Sequence, residues 1–255
     1  MAENLILLTF KEHVGYITLN NPGKGNQLDL PLSQELESAC NQVNSREEIY
    51  VVIISGAGNS FCRGGDERQL VRLTEDGGFL KHSPADAVAG INVPTLAAID
   101  GNAVGQGLEL ALACDLRIAS VKSRFGLPQI THGWMPLDGG TQRLSRIVGK
   151  GKALELVLSG EIIDAQAAFD IGLVNRVVER DKLISTVEDL ANTISTKAPW
   201  ALRYAKEAVN KGSDLTLDQG LRLEADLYFL LHTTTDRTEG IQSFLQKRPP
   251  HYKGK

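Results

Sequence analysis

The residues from Ala97 to Asp115, AAIDGNAVGQGLELALACD, constrain this chain more than any others. They read as the end of a short apolar strand over Thr95–Ile99, a turn broken by glycines, and a helix opening near Gly105. That helix carries Glu109 one turn in, on an otherwise apolar body of Leu108, Leu110, Ala111, Leu112 and Ala113. A helix start leaves backbone N–H groups without partners and favours an oxygen bearing negative charge. A side chain three residues further on lies on the same face. The Gln106 N–H and the Glu109 carboxylate can therefore meet at one ligand, an oxyanion donor beside a proton-transfer group. A plain glycine turn and a carboxylate offsetting the helix dipole account for the same residues.

The rest of the first half repeats strands followed by helices. Leu5–Phe10 and Gly15–Leu19 read as a hairpin around Lys11-Glu12-His13. Pro31 opens a helix with Leu32, Leu36, Ala39, Cys40 and Val43 on one face. Tyr50–Ser55 is a continuous apolar run, the signature of a strand covered on both sides. GAGNSFCRGGDE follows as a loop, and the weakly patterned residues from Glu67 to Ile91 read as mobile helical pieces. Leu116–Ala119 is a further strand, and FGLPQITHGWMPLDGG a loop before a helix over Gly140–Val148. Lys152–Ser159 and Ala165–Ile171 are helices, the second with Asp164 as N-cap and Gly172 as terminator. After the strand Val174–Val178 the pattern is almost wholly helical: Leu183–Ile194, Trp200–Lys211, Leu217–His232 and Glu239–Leu245. The composition therefore divides near Arg180 into an α/β body and a helical tail. The helix over Leu217–His232 is apolar on so much of its surface that it needs cover from the body or from another subunit, and of the two a homo-oligomer is the expected one.

A length of 255 residues suits one large domain or one domain with an appendage. A net charge of -4 argues against broad binding to nucleic acid or to a membrane surface. Cys40, Cys62 and Cys114 sit on or beside apolar segments without metal-ligand spacing and read as reduced thiols. No apolar run approaches the roughly 20 residues that span a bilayer, and MAENLILLTF lacks the basic region and long apolar core of a signal peptide. The expected location is the cytoplasm.

A second glycine loop, Ser60-Phe61-Cys62-Arg63-Gly64-Gly65-Asp66, lies just beyond the strand at Tyr50–Ser55. Ligands of α/β layers bind at the carboxyl ends of strands. Glycines there let the backbone approach a ligand and leave the Arg63 N–H free to donate, though a plain turn has the same composition. Two such loops can aim two N–H groups at one carbonyl oxygen.

SFCRGGD, then VPTLAAIDGNAVGQGLELALACDLRIAS, then FGLPQITHGWMPLDGGTQRL, resembles the crotonase (enoyl-CoA hydratase/isomerase) superfamily. The likeness runs through AFDIGLVNRVV to EGIQSFLQKRPPHYKG and so covers essentially the whole chain. It implies an α/β fold, a spiral of ββα units over residues 1–195, with a C-terminal helical trimerisation region over 196–255. It implies an acyl-CoA thioester as substrate, with coenzyme A part of that substrate and no separate cofactor or metal. It implies a homotrimer or a dimer of trimers.

Mapped by motif, the resemblance assigns an oxyanion hole to the backbone N–H groups of Arg63 and Gln106. Glu109 matches one of the two glutamates with which a hydratase handles water and the α-proton. Lys24 and Asn26 fall where the family contacts CoA, and Gly64, Asp66 and Gly105 fall in the substrate-binding loops. The chain departs from the family at Gln129, which stands where hydratases place the second glutamate. An amide exchanges no proton at neutral pH but still holds a water or a hydroxyl by hydrogen bonds. Asp138 is a candidate substitute acid, and an N-cap or turn residue is the plainer account of it. His132 is a second, weaker candidate proton carrier. The expected reaction is addition of water to a 2-enoyl- or dienoyl-CoA, or its reverse, through an oxyanion-stabilised enolate. Isomerisation, thioester hydrolysis and decarboxylation share that frame. A non-catalytic acyl-CoA-binding protein is the alternative outside enzymes.

Overall fold

The computed structural model describes residues 4–65 and 83–255. Asp66, and most of the weakly patterned stretch that follows it, lie outside the described residues.

β1 (Ile6–Lys11) and β2 (Val14–Leu19) form the expected antiparallel hairpin. α1 (Leu30–Asn44) opens at Asp29, whose side chain accepts from the Leu32 N–H, and Pro31 sits in its first turn, where the missing N–H costs nothing. Its buried face is Leu32, Leu36, Ala39, Cys40 and Val43, as the spacing predicts.

Three successive passes of the chain then build two sheets. β3 (Val51–Gly56), β5 (Thr95–Ile99) and β7 (Leu116–Ser120) enter a six-stranded sheet. Each is followed by a short strand of a second sheet: β4 (Ser60–Cys62), β6 (Asn102–Val104) and β8 (Arg124–Gly126). Helices close each pass: α2 (Pro84–Ala89), α3 (Gln106–Ala113), and the pair α4 (Gly140–Val148) and α5 (Lys150–Ser159). β9 (Ile162–Asp164) completes the four-stranded sheet β4-β6-β8-β9. After α6 (Ala165–Asp170), β10 (Arg176–Val178) completes the order β1-β2-β3-β5-β7-β10. From β2 to β10 the neighbours are parallel. The short strands β4 and β8 lie within segments that the sequence marks only as loops, because three residues carry too little periodicity to be read.

The central strands are covered on both faces, as their unbroken apolar runs require. Val52, Ile54, Ala97, Ile99 and Ala119 face the main core with α1 and α3. Val51, Ile53, Leu96, Ala98 and Ile118 face a second core against Leu183, Val187 and Ala191 of α7 (Leu183–Ser195). The chain ends in α8 (Pro199–Gly212), α9 (Leu217–Leu231) and α10 (Thr235–Leu245).

Two facts of this architecture position the site. β4 and β6 are parallel neighbours, so the turns at their carboxyl ends, Arg63-Gly64-Gly65 and Gly105-Gln106, lie side by side. The apolar body of α3 then drives Glu109 inward between α2, α4 and the small sheet.

Candidate active site

Gly64 and Gly105 have φ of +99° and +59°, values that L side chains rarely adopt. They also face each other closely. A Cβ on Gly64 would lie 2.8 Å from the Val104 carbonyl and 3.4 Å from the Gln106 N, and one on Gly105 would lie 4.0 Å from the Gly64 Cα. Only glycine fits this junction. Gln106 begins α3, and its N–H has no partner among the described residues.

The second donor differs from the residue the sequence assigned. The Arg63 N–H is already committed, donating to the Gly25 carbonyl at 3.0 Å. The Gly64 carbonyl accepts from the Leu28 N–H at 2.8 Å, so residues 63 and 64 belong to the contact with the 25–28 loop. The positive φ of Gly64 breaks the strand's alternation at that point. The next N–H, that of Gly65, is the one without a partner among the described residues. Its neighbour across the junction is Gln106, whose Oε1 a Gly65 side chain would strike. The two glycines of RGG were visible in the sequence, but which N–H the 25–28 loop consumes was not.

Glu109 is fully buried, and burial pushes its carboxyl up to about 7. The Gly140 N–H opposes that rise, the neighbouring Asp138 carboxylate adds to it, and the Asp138 N–H and the Arg143 guanidinium also oppose it. The two oxygens are held differently. Oε1 accepts from the Asp138 N–H at 2.7 Å and the Gly140 N–H at 2.9 Å. Oε2 accepts from Gln129 Nε2 at 3.2 Å. At the other end of that amide, Gln129 Oε1 is buried with no hydrogen-bond partner. A carboxyl with its pKa near neutrality can take a proton and give it back, the requirement for acid–base catalysis at physiological pH.

Two further assignments change. Asp138 contributes its N–H to Glu109, but its carboxylate turns away. It accepts from the Ser83 hydroxyl and, at 3.0 Å, from the Ala85 N–H, so it holds the start of α2 and does not cap α4, whose N-cap is Gly139 with no side-chain bond. Burial raises the Asp138 carboxyl, and the Ser83 and Ala85 donors resist that rise. Asn26 is sealed from solvent. Its Nδ2 donates to the Ala57 and Ser60 carbonyls and its Oδ1 accepts from the Asn21 N–H, so it ties its own loop together rather than reaching CoA. His132 is exposed, with Nδ1 3.0 Å from the Thr131 hydroxyl. Lys24 is 62% exposed and pairs with Asp29 at 3.5 Å, on the loop that holds Arg63.

A buried, near-neutral carboxyl on the helix that starts at Gln106, and two N–H groups without partners among the described residues at facing glycine turns, are groups suited to moving a proton and holding an oxyanion. The family model for enoyl-CoA hydratase/isomerase matches residues 9–255. The 2,3-dehydroadipyl-CoA hydratase of Escherichia coli is 38% identical over 98% of this chain and 99% of its own. The short-chain-enoyl-CoA hydratase of Clostridium acetobutylicum is 35% identical over 97% of each. Among solved structures, the enoyl-CoA hydratase from Bacillus anthracis superposes with a TM-score of 0.94 at 38% identity, covering 98% of this chain and 100% of that one. The chain belongs to the enoyl-CoA hydratase/isomerase family.

Proposed function

We propose that this protein adds water to a 2-enoyl-CoA thioester, and removes it in reverse, with Glu109 as the proton-transfer group. The observation that carries the reading is the Glu109 carboxyl itself: buried, near-neutral, and with one oxygen tied while the other faces the site. The thioester carbonyl oxygen accepts from the N–H groups of Gly65 and Gln106. Ionised Glu109 takes a proton from water on Oε2 while the water oxygen bonds to Cβ, and the electron pair of the double bond moves to the thioester oxygen. The resulting enolate takes the proton back from Oε2 at Cα, leaving a 3-hydroxyacyl-CoA. Stabilisation of the enolate oxygen is the larger part of the rate, since one such donor is typically worth ~3–4 kcal/mol.

Exposed Lys24 serves as a contact for the CoA phosphates, and Gly64 and Gly105 give the thioester room. The reaction requires no group beyond the CoA of the substrate. We place the enzyme in the cytoplasm, a reading supported by three buried, unpaired thiols. Among the described residues no helix is long and apolar enough to cross a membrane.

A second reading is a double-bond shift on the same frame, which the amide at Gln129 favours because one carboxyl suffices to carry one proton between two carbons. Product analysis of crotonyl-CoA and 3-butenoyl-CoA incubations separates them. Hydration gives 3-hydroxybutyryl-CoA from crotonyl-CoA, whereas an isomerase converts the 3-enoyl ester without gain of mass.

A further inference from the structure

The turn that holds Glu109 is itself held from behind. Asp138 and Gly140 give their N–H groups to Glu109 Oε1, and α4 opens from this turn with Gly139 as N-cap and no side-chain cap. Arg143, one turn into α4, folds back over it. Its Nη1 donates to the Asp138 carbonyl at 2.9 Å, and its Nη2 meets the Asp86 carboxylate on α2 at 2.7 Å. The guanidinium lies so close to the turn that a Cβ on Gly139 would strike Nη1.

Asp86 is 73% exposed, and so open an ion pair adds little to stability. Its geometry matters more. A guanidinium presents its donors in a rigid fork, which an ammonium does not. The Asp138 carbonyl lies between the two N–H groups along the chain, so the prong on it fixes the turn that aims both at Oε1. The other prong anchors that turn to α2. Charge acts in the same direction. Around Glu109, α2 brings Asp86, the turn brings Asp138 and α4 brings Arg143, while Arg146 is turned to Asp214 at 3.1 Å. The strands β4 and β6 bring no charged side chain, and burial pushes the Cys62 thiol of β4 up to about 12. Arg143 thus opposes the rise that burial and the Asp138 carboxylate impose on Glu109.

We propose that Arg143 is a positioning residue for the hydration: by bridging the Asp138 carbonyl and the Asp86 carboxylate, it keeps Glu109 Oε1 tied and leaves Oε2 to move the proton. It acts through the turn and touches no substrate. This rests on the hydration reading above and extends it to a residue behind the site.

The test is the pH profile of crotonyl-CoA hydration, with kcat and KM separated. In Arg143→Met, which loses the charge and both bonds, the acid limb of kcat/KM should move up by about one pH unit. On its alkaline plateau kcat should fall about tenfold while KM stays within about twofold, since a displaced reacting group costs rate and the side chain binds no substrate. In Arg143→Lys, which keeps the charge without the fork, the limb should return to the native position and kcat should recover only in part. A merely loosened fold lowers activity and leaves the limb where it was. Asp86→Asn, a change at an exposed side chain, removes the outer anchor alone and should lower kcat about threefold at unchanged KM. This variant decides the matter if Arg143→Met does not fold. An unmoved limb in folded Arg143→Met, or full kcat in Asp86→Asn, overturns the inference. A native enzyme that leaves crotonyl-CoA unchanged overturns the hydration reading, and this inference with it.

Discussion

At the residue scale the account turns on the ionisation of Glu109. Hydration and dehydration both begin with the carboxylate accepting a proton. With its pKa near 7, kcat/KM should be flat above that value and fall about tenfold per pH unit below it. A profile that falls only near pH 4.5, the ordinary glutamate value, would show that burial does not act on this carboxyl as described. The same shift has a consequence for stability. The folded pKa lies above the unfolded one, so between about 4.5 and 7 the folded state binds more protons than the unfolded. The favourable contribution of protonated Glu109 is therefore present at low pH and lost as pH rises through 7. It is bounded by about 3.5 kcal/mol, one pK unit being about 1.4. Glu109→Gln, neutral throughout, should raise Tm relative to the native enzyme at pH 8 and give less gain, or none, at pH 5. Thermal unfolding at the two pH values measures this directly.

At the scale of elements, the glycine turns separate what sequence makes legible from what it does not. β5 and α4 lie where apolar runs and capping signals put them, and α1 begins one residue earlier. Glu109 could be marked from the helix start alone. The identity of the second N–H could not, because it depends on which N–H the distant 25–28 loop consumes, a contact between segments 38 residues apart. The fate of the Asp138 carboxylate likewise depends on α2, which packs against it from 53 residues away. Close approach also predicts mutational outcomes. A Cβ on Gly107, inside α3, would be driven into the Cys62 carbonyl, backbone that cannot step aside. Gly107→Ala should destabilise the fold by several kcal/mol, in the range typical of overpacked or strained sites. Gly151, in the first turn of α5, has nothing within 4 Å of its would-be Cβ. Gly151→Ala should be neutral or stabilising by up to about 1 kcal/mol. The denaturant midpoint should fall in Gly107→Ala and hold or rise in Gly151→Ala.

At the scale of the whole molecule, the surface of the C-terminal helices is not that of a finished monomer. Leu217, Phe229, Phe244 and Leu245 are 80%, 71%, 82% and 73% exposed, on α9, α10 and the ends of these helices. Association would cover such an apolar face, and we propose a homotrimer or a dimer of trimers as the assembly. Sedimentation should give a mass a multiple of three times 27.7 kDa. Phe229→Asp with Phe244→Asp should shift the mass downward, and a native enzyme that sediments as a monomer would refute the assembly. The chemistry itself has the most direct test. Crotonyl-CoA is incubated in heavy water with the native enzyme and with Glu109→Gln, and the products are analysed by mass spectrometry. The account predicts 3-hydroxybutyryl-CoA carrying one deuterium at Cα from the native enzyme, and turnover reduced about 10²–10⁴-fold in the variant. Full hydration by Glu109→Gln, or an unchanged ester from the native enzyme, would contradict it.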